Sequence, residues 1–155
     1  MASLFVKKRL VDPYVVSVDI TLLKAKGHVW HKSSMIKGIV PRSGIDTDAR
    51  WGFSHTKGWI FGYELHITSS TGSLIVPLSA DFTQADVQDY QIYPAITSSS
   101  LPHGVCYMAA ADSGYDDHKL YDLSIHRRGF ELICPVSQIY NNTSSDRLQL
   151  IEFYL

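Results

Sequence analysis

Two aspartates each close an apolar run. Asp19 ends PYVVSVD and Asp112 ends GVCYMAAAD, after which Gly114 and Tyr115 turn the chain into a helix-like stretch. A carboxylate at the C-terminal end of a buried strand is costly unless something pairs with it. Two of them on neighbouring strands repel unless a cation lies between them. The residue types therefore point to a divalent-metal site in an α/β domain. The first reaction class to consider is metal-assisted phosphoryl transfer.

The charge pattern points the same way. The 155 residues carry a net charge of only −1. Yet residues 24–58 hold Lys24, Lys26, Lys32, Lys37, Arg42, Arg50 and Lys57 against Asp46 and Asp48 alone. Residues 59–118 hold no Lys or Arg and seven acids: Glu64, Asp81, Asp86, Asp89, Asp112, Asp116 and Asp117. A basic stretch suits a polyanion and an acidic one suits a cation. The bland alternative for the basic stretch is a solvated loop.

The elements that must position these residues follow from periodicity. Residues 14–19 read as a short, fully buried strand, because Val15, Val16 and Val18 leave no polar face. Residues 24–57 read as one long loop, which Trp30, Trp51 and Phe53 would anchor to the body. Residues 59–68 and 73–79 read as a hairpin turning at Thr71-Gly72, with Pro77 marking an edge. Residues 84–96 suggest a helix broken at Pro94. Then come a buried strand at 104–111, a helix at 115–128 stopped by Gly129, and a strand at 130–135. The helix has Asp116 and Asp117 in its first turn and Arg127 and Arg128 in its last, a charge order that suits its dipole. RLQLIEFYL at 147–155 begins another helix. A mixed sheet flanked by helices is the expected architecture.

Composition, 45% hydrophobic and 19% charged, is that of a globular domain of ordinary size. No apolar run is long enough to span a bilayer, and the N-terminus is not built as a signal peptide, so a cytoplasmic location is expected. Cys106 and Cys134 read as small buried hydrophobes. Asp46 and Asp48 read as turn residues, and Asp116 or Asp117 as helix-start acids or partners of a metal-bound water. His28 and His31 sit in a polar loop that suits a phosphate or solvent contact better than zinc. Trp59 reads as a core or anchoring residue, with base stacking as the sharper alternative.

Three segments resemble the DDE transposases of bacterial insertion sequences. They are VDITLLKAKGHVW, GIDTDARWGFSHTKGWIFGYELHI and AADSGYDDHKLYDLSIHRRGFELICPV, in that order. The resemblance implies a ribonuclease H-like fold over residues 14–155, a partial DDE catalytic domain, with 1–13 as a lead-in. It places catalytic, metal-binding aspartates at Asp19 and Asp112. It implies two divalent ions, usually Mg2+, and DNA ends and target as partners, with a homodimer in the full-length synaptic complex and association with the nucleoid. Lys24, Lys26, Arg50 and Lys57 are the expected phosphate contacts, with Trp59 beside them. The family's third acid lies in an Arg-x3-Glu-x6-Lys pattern, and Glu152 does not fit that spacing after Arg147. The resemblance thus implies a domain that stops short of its third acid and is incomplete at the C-terminus. Two other readings remain: a catalytically dead fragment or DNA-binding regulator, and another ribonuclease H-like nuclease.

Overall fold

Val15–Lys24 forms the central strand β1, and its register fixes everything that follows. The computed structural model describes residues 4, 7, 8, 11, 12, 14–54, 56–72, 74–100 and 106–135. Glu152, the helical start at 147–155 and His55 lie outside the described residues. After β1 come a short helix α1 (Lys32–Ile36), β2 (Arg50–Ser54), β3 (Gly58–Ser70) and β4 (Pro77–Gln84). Helix α2 (Asp89–Ser100), β5 (Met108–Ala111), a 3-10 turn at Ser113–Tyr115, α3 (His118–Asp122) and β6 (Glu131–Ile133) complete the order.

The sheet runs β2-β3-β1-β5-β6, and β4 also pairs with β3. β3 is antiparallel to β1, β2 and β4, whereas β5 and β6 continue the sheet in parallel from β1. An antiparallel meander joined through β1 to parallel strands, with helices on the sheet, is the mixed ribonuclease H-like arrangement expected from the resemblance.

Period-two patterning places the core. Val16 and Val18 are buried, with Ala109 of β5 and Leu132 of β6, on the face covered by α2. Burial of each valine contributes about 1.5–3 kcal/mol. α2 presents Tyr93, Ile96 and Thr97 to that core, one helical stripe.

Several boundaries differ from the sequence expectations. β1 does not end at Asp19 but continues to Lys24, because Ile20 and Leu22 keep the same face as Val16 and Val18. Part of the expected long loop is strand β2, held by five residue pairs against β3. The rest is anchored as expected by tryptophans: the Trp51 indole donates to the Trp30 carbonyl and the Trp30 indole to the Ile39 carbonyl, both at 2.9 Å. The second hairpin strand begins at Pro77 rather than at 73. α2 starts at Asp89 and runs through Pro94, its sixth residue, and burial of Tyr93, Ile96 and Thr97 offsets the backbone bond lost inside the helix. The expected continuous helix at 115–128 is a 3-10 turn, then α3, then a π-helical stretch over Leu123–Arg128 that Gly129 ends in a left-handed conformation, φ 76°.

Candidate metal and nucleic-acid site

Asp19 and Asp112 are brought together by strand register. β1 and β5 run parallel with Val18 opposite Ala111, and each aspartate is the next residue along its strand. Both side chains are exposed, so the expected cost of burying them does not arise. The reason is alternation. Asp19 lies opposite Ile67 of β3, on the sheet face away from α2, whereas Val18 points into the core. Asp112 caps the 3-10 turn, accepting from the Gly114 N–H at 2.9 Å.

Further carboxylates gather where α2 meets this edge. Asp89 opens α2, and a Cβ on Gly114 would collide with Asp89 Oδ2 and lie 3.1 Å from Asp112 Oδ1. Glycine at 114 therefore lets both carboxylates approach the same point of the turn. Burial and the nearby Asp112 charge push the Asp89 carboxyl up to about 6. Burial, with Asp89 and Asp86 adding their charge, pushes Glu64 up to about 7. Tyr115 is fully buried, and its hydroxyl has no hydrogen-bond partner among the described residues. Burial raises its pKa, and the charges of Asp89, Asp112, Asp19 and Glu64 raise it further. An orphaned hydroxyl in the field of four carboxylates, in a segment without Lys or Arg, suits a bound cation. Among the described residues, no group of three or more His, Cys, Asp or Glu side chains converges closely enough to hold an ion unaided.

The buried row on β3 is polar. Glu64, His66, Thr68 and Ser70 alternate toward the core, and hydroxyls on β4 satisfy part of it. Ser79 Oγ donates to the Ile96 carbonyl at 2.9 Å, so Thr68 Oγ1 must donate to Ser79 Oγ at 2.7 Å. His66 Nε2 lies 2.9 Å from Thr83 Oγ1 and 3.8 Å from Glu64 Oε2. Burial lowers the His66 pKa and raises that of Glu64, so near neutral pH the two do not form a full ion pair.

The expected DNA contacts are spread along the strands leading away from the aspartates. Lys24 and Arg50 flank Gly62 from opposite sides of β3. A Cβ at Gly62 would collide with the Leu23 carbonyl, so the Gly-Tyr pair of the family-like segment keeps β1 close. Lys24 lies five residues, about 17 Å, along β1 from Asp19. Lys24, Lys26 and Lys57 are exposed. Arg50 is less free: its guanidinium donates to the Thr47 and Ala49 carbonyls at 2.8 and 2.9 Å. Trp59 is not core. It is 59% exposed, packs on Phe53 across the β2–β3 hairpin, and has Lys32 Nζ 4.0 Å from its ring centroid.

The remaining candidates have structural partners. Asp46 accepts from the Tyr63 hydroxyl at 2.8 Å, and that bond holds its carboxyl below the usual range. Asp48 donates its own N–H to Asp46. Asp117 caps α3 through the Lys119 N–H, and Asp116 accepts from the Tyr121 hydroxyl. His28 and His31 line a surface cleft with Arg42. Cys106 is buried in the core and Cys134 packs against it. Asp89 was not among the sequence candidates, because it reads as one more polar position in an amphipathic helix. Two signals could have exposed it: the lack of any cation across 59–118, and Gly114 inside ADSGY.

No helix among the described residues is long and apolar enough to cross a membrane. No curated protein matches the sequence. Among solved structures, a chain of the simian T-cell lymphotropic virus intasome in complex with PP2A regulatory subunit B56 gamma aligns at TM-score 0.43 and 16% identity. The alignment covers 92% of this chain and 38% of that one. The model of the transposase DDE domain matches residues 11–150, a span that holds Asp19, Asp112 and all three family-like segments. The chain belongs to the transposase DDE domain family.

Proposed function

We propose that this chain carries the two-aspartate part of a transposase centre that cuts and joins DNA, with Asp19 and Asp112 as ligands for divalent cations, Mg2+ by preference. One observation carries the reading: the parallel register that sets both exposed aspartates side by side, one residue beyond Val18 and Ala111. Carboxylate oxygens suit small, hard cations. When bound, such ions supply activation of an attacking water or 3′-hydroxyl and stabilisation of the leaving oxygen. The chain's own residues orient the DNA. Lys24, Lys26 and Lys57 are exposed for phosphate contacts, and Arg50 adds charge while bracing its loop. The Trp59 ring offers a stacking surface for an unpaired base. DNA ends and target are the partners, held by a homodimer, with association with the nucleoid.

Nicking of supercoiled plasmid in Mg2+ or Mn2+ tests this. Metal-dependent nicking by the chain, lost in Asp19→Asn and Asp112→Asn, is the expected result. Unchanged nicking by both variants would overturn the assignment. Salt-sensitive DNA binding without nicking would instead favour a DNA-binding regulator. Cleavage of RNA–DNA hybrid in preference to duplex DNA would favour a different nuclease.

A further inference from the structure

We infer that Asp89, in the first turn of α2, is a further cation ligand of this centre, binding a divalent ion jointly with Asp112 across the gap that Gly114 leaves open. The inference rests on the reading of Asp19 and Asp112 as a cation site. Three observations support it independently of the family's pattern.

First, the space is made by a glycine. A methyl group at 114 would press on Asp89 Oδ2 and sit 3.1 Å from Asp112 Oδ1, so two carboxylates from different elements face the same small volume. Second, among the described residues neither Asp89 nor Asp112 makes an ion pair, and residues 59–118, which hold both, contain no Lys or Arg. Carboxylates brought together without a cation destabilise the fold, and a divalent ion removes that cost. Third, the Tyr115 hydroxyl is fully buried, has no hydrogen-bond partner among the described residues and feels the charges of Asp89, Asp112, Asp19 and Glu64. An unsatisfied buried hydroxyl is costly, and an ion or its water would give it an acceptor or donor. The two oxygens near Gly114 supply only part of a coordination shell, and waters and DNA phosphate oxygens would fill the rest.

The test is Mn2+ binding to the 155-residue chain, read from the paramagnetic resonance signal of free Mn2+, with melting of the metal-free chains measured in parallel. Asp89→Asn is expected to weaken Mn2+ binding about tenfold or more. Its metal-free melting temperature should be unchanged or higher, because a repulsion has been removed. A merely structural Asp89 would give the opposite pair of results. Gly114→Ala displaces both carboxylates without removing either, and it should also lose affinity. It decides the matter if Asp89→Asn does not fold. Wild-type affinity in Asp89→Asn, or in Gly114→Ala where the first variant is unfolded, overturns the inference. If Asp112→Asn still loses binding in that case, the centre itself stands. Wild-type affinity in Asp19→Asn and Asp112→Asn would instead remove the proposed centre, and Asp89 with it.

Discussion

Asp19 and Asp112 stand beside each other because Val18 and Ala111 are paired in parallel, one residue earlier on β1 and β5. The apolar pair is the foundation on which the acidic pair stands. Val18 is buried under α2, so the register cannot slip by one residue without turning Val16 and Val18 outward. The position of the two carboxylates is thereby tied to the stability of the core.

That link predicts that the cation stabilises the fold. An ion that binds only the folded chain adds about 1.4 kcal/mol at a concentration about ten times its dissociation constant. Millimolar Mg2+ should therefore raise the melting temperature of the chain, and Asp19→Asn or Asp112→Asn should remove most of the rise. Circular dichroism melts with and without Mg2+ measure it. An equal rise in both variants would show that the ion binds elsewhere.

Glu64 predicts a pH dependence. Its carboxyl is lifted from 4.5 to about 7, first by burial and then by Asp89 and Asp86. The folded chain thus holds this proton more tightly than the unfolded chain. The stability from the protonated form is fully present below about pH 4.5 and is lost as pH rises through about 7. Glu64→Gln, which cannot ionise, should match the wild type near pH 4.5. At pH 8 it should be more stable by on the order of 2–3 kcal/mol. Urea unfolding of both proteins across this range is the measurement, and a constant difference would refute the account.

How much of this was legible in the sequence depends on which side of each strand carries the hydrophobic residues. β1 was legible because its valines are inside. The place of Asp112 at the end of β5 was legible because an acid after GVCYMAAA stands out. β3 was found as a strand, but alternation alone did not say which face lies inside. Tyr63, Leu65 and Ile67 are only half-buried, whereas Glu64, His66, Thr68 and Ser70 form the more deeply buried row. That burial is possible only because Thr83 and Ser79 on β4 and the Ile96 carbonyl on α2 satisfy part of the row. Those bonds span 11 to 17 residues of chain, beyond the reach of a periodicity argument. β2 was missed for a similar reason: RWGFS is too short to register alone and exists because β3 is beside it. Asp89 was missed because only tertiary packing brings it to Gly114.

The exposed hairpin predicts a separation of stability from DNA binding. Trp59 is 59% exposed and contacts Phe53 and Lys32, so Trp59→Ala should cost at most about 1 kcal/mol of stability. If the ring stacks on a base, the same change should weaken single-stranded DNA binding by about 1–3 kcal/mol and leave its salt dependence unchanged. Lys57→Ala should instead weaken binding uniformly across sequences and lower the salt slope by about one. Fluorescence anisotropy over a salt series distinguishes the two. Equal, salt-independent effects would show that the hairpin does not meet DNA.

The last prediction concerns the contact that fixes α2, and with it Asp89, against the helical segment after β5. Tyr93 and Ser124 are both fully buried, and their hydroxyls share a hydrogen bond of 2.8 Å. Ser124 lies in the π-helical stretch from Leu123 to Arg128, where it is the buried residue. Ser124→Ala leaves a buried phenol without its partner and should cost about 1–3 kcal/mol. Tyr93→Phe strands the serine hydroxyl and should also destabilise. The double variant strands neither group, so it should cost less than the two single changes added together. Urea unfolding of the four proteins measures the coupling. Simple additivity would mean that apolar packing of Tyr93 against Tyr115, with ring centroids 5.7 Å apart, holds α2 in place without help from the hydrogen bond.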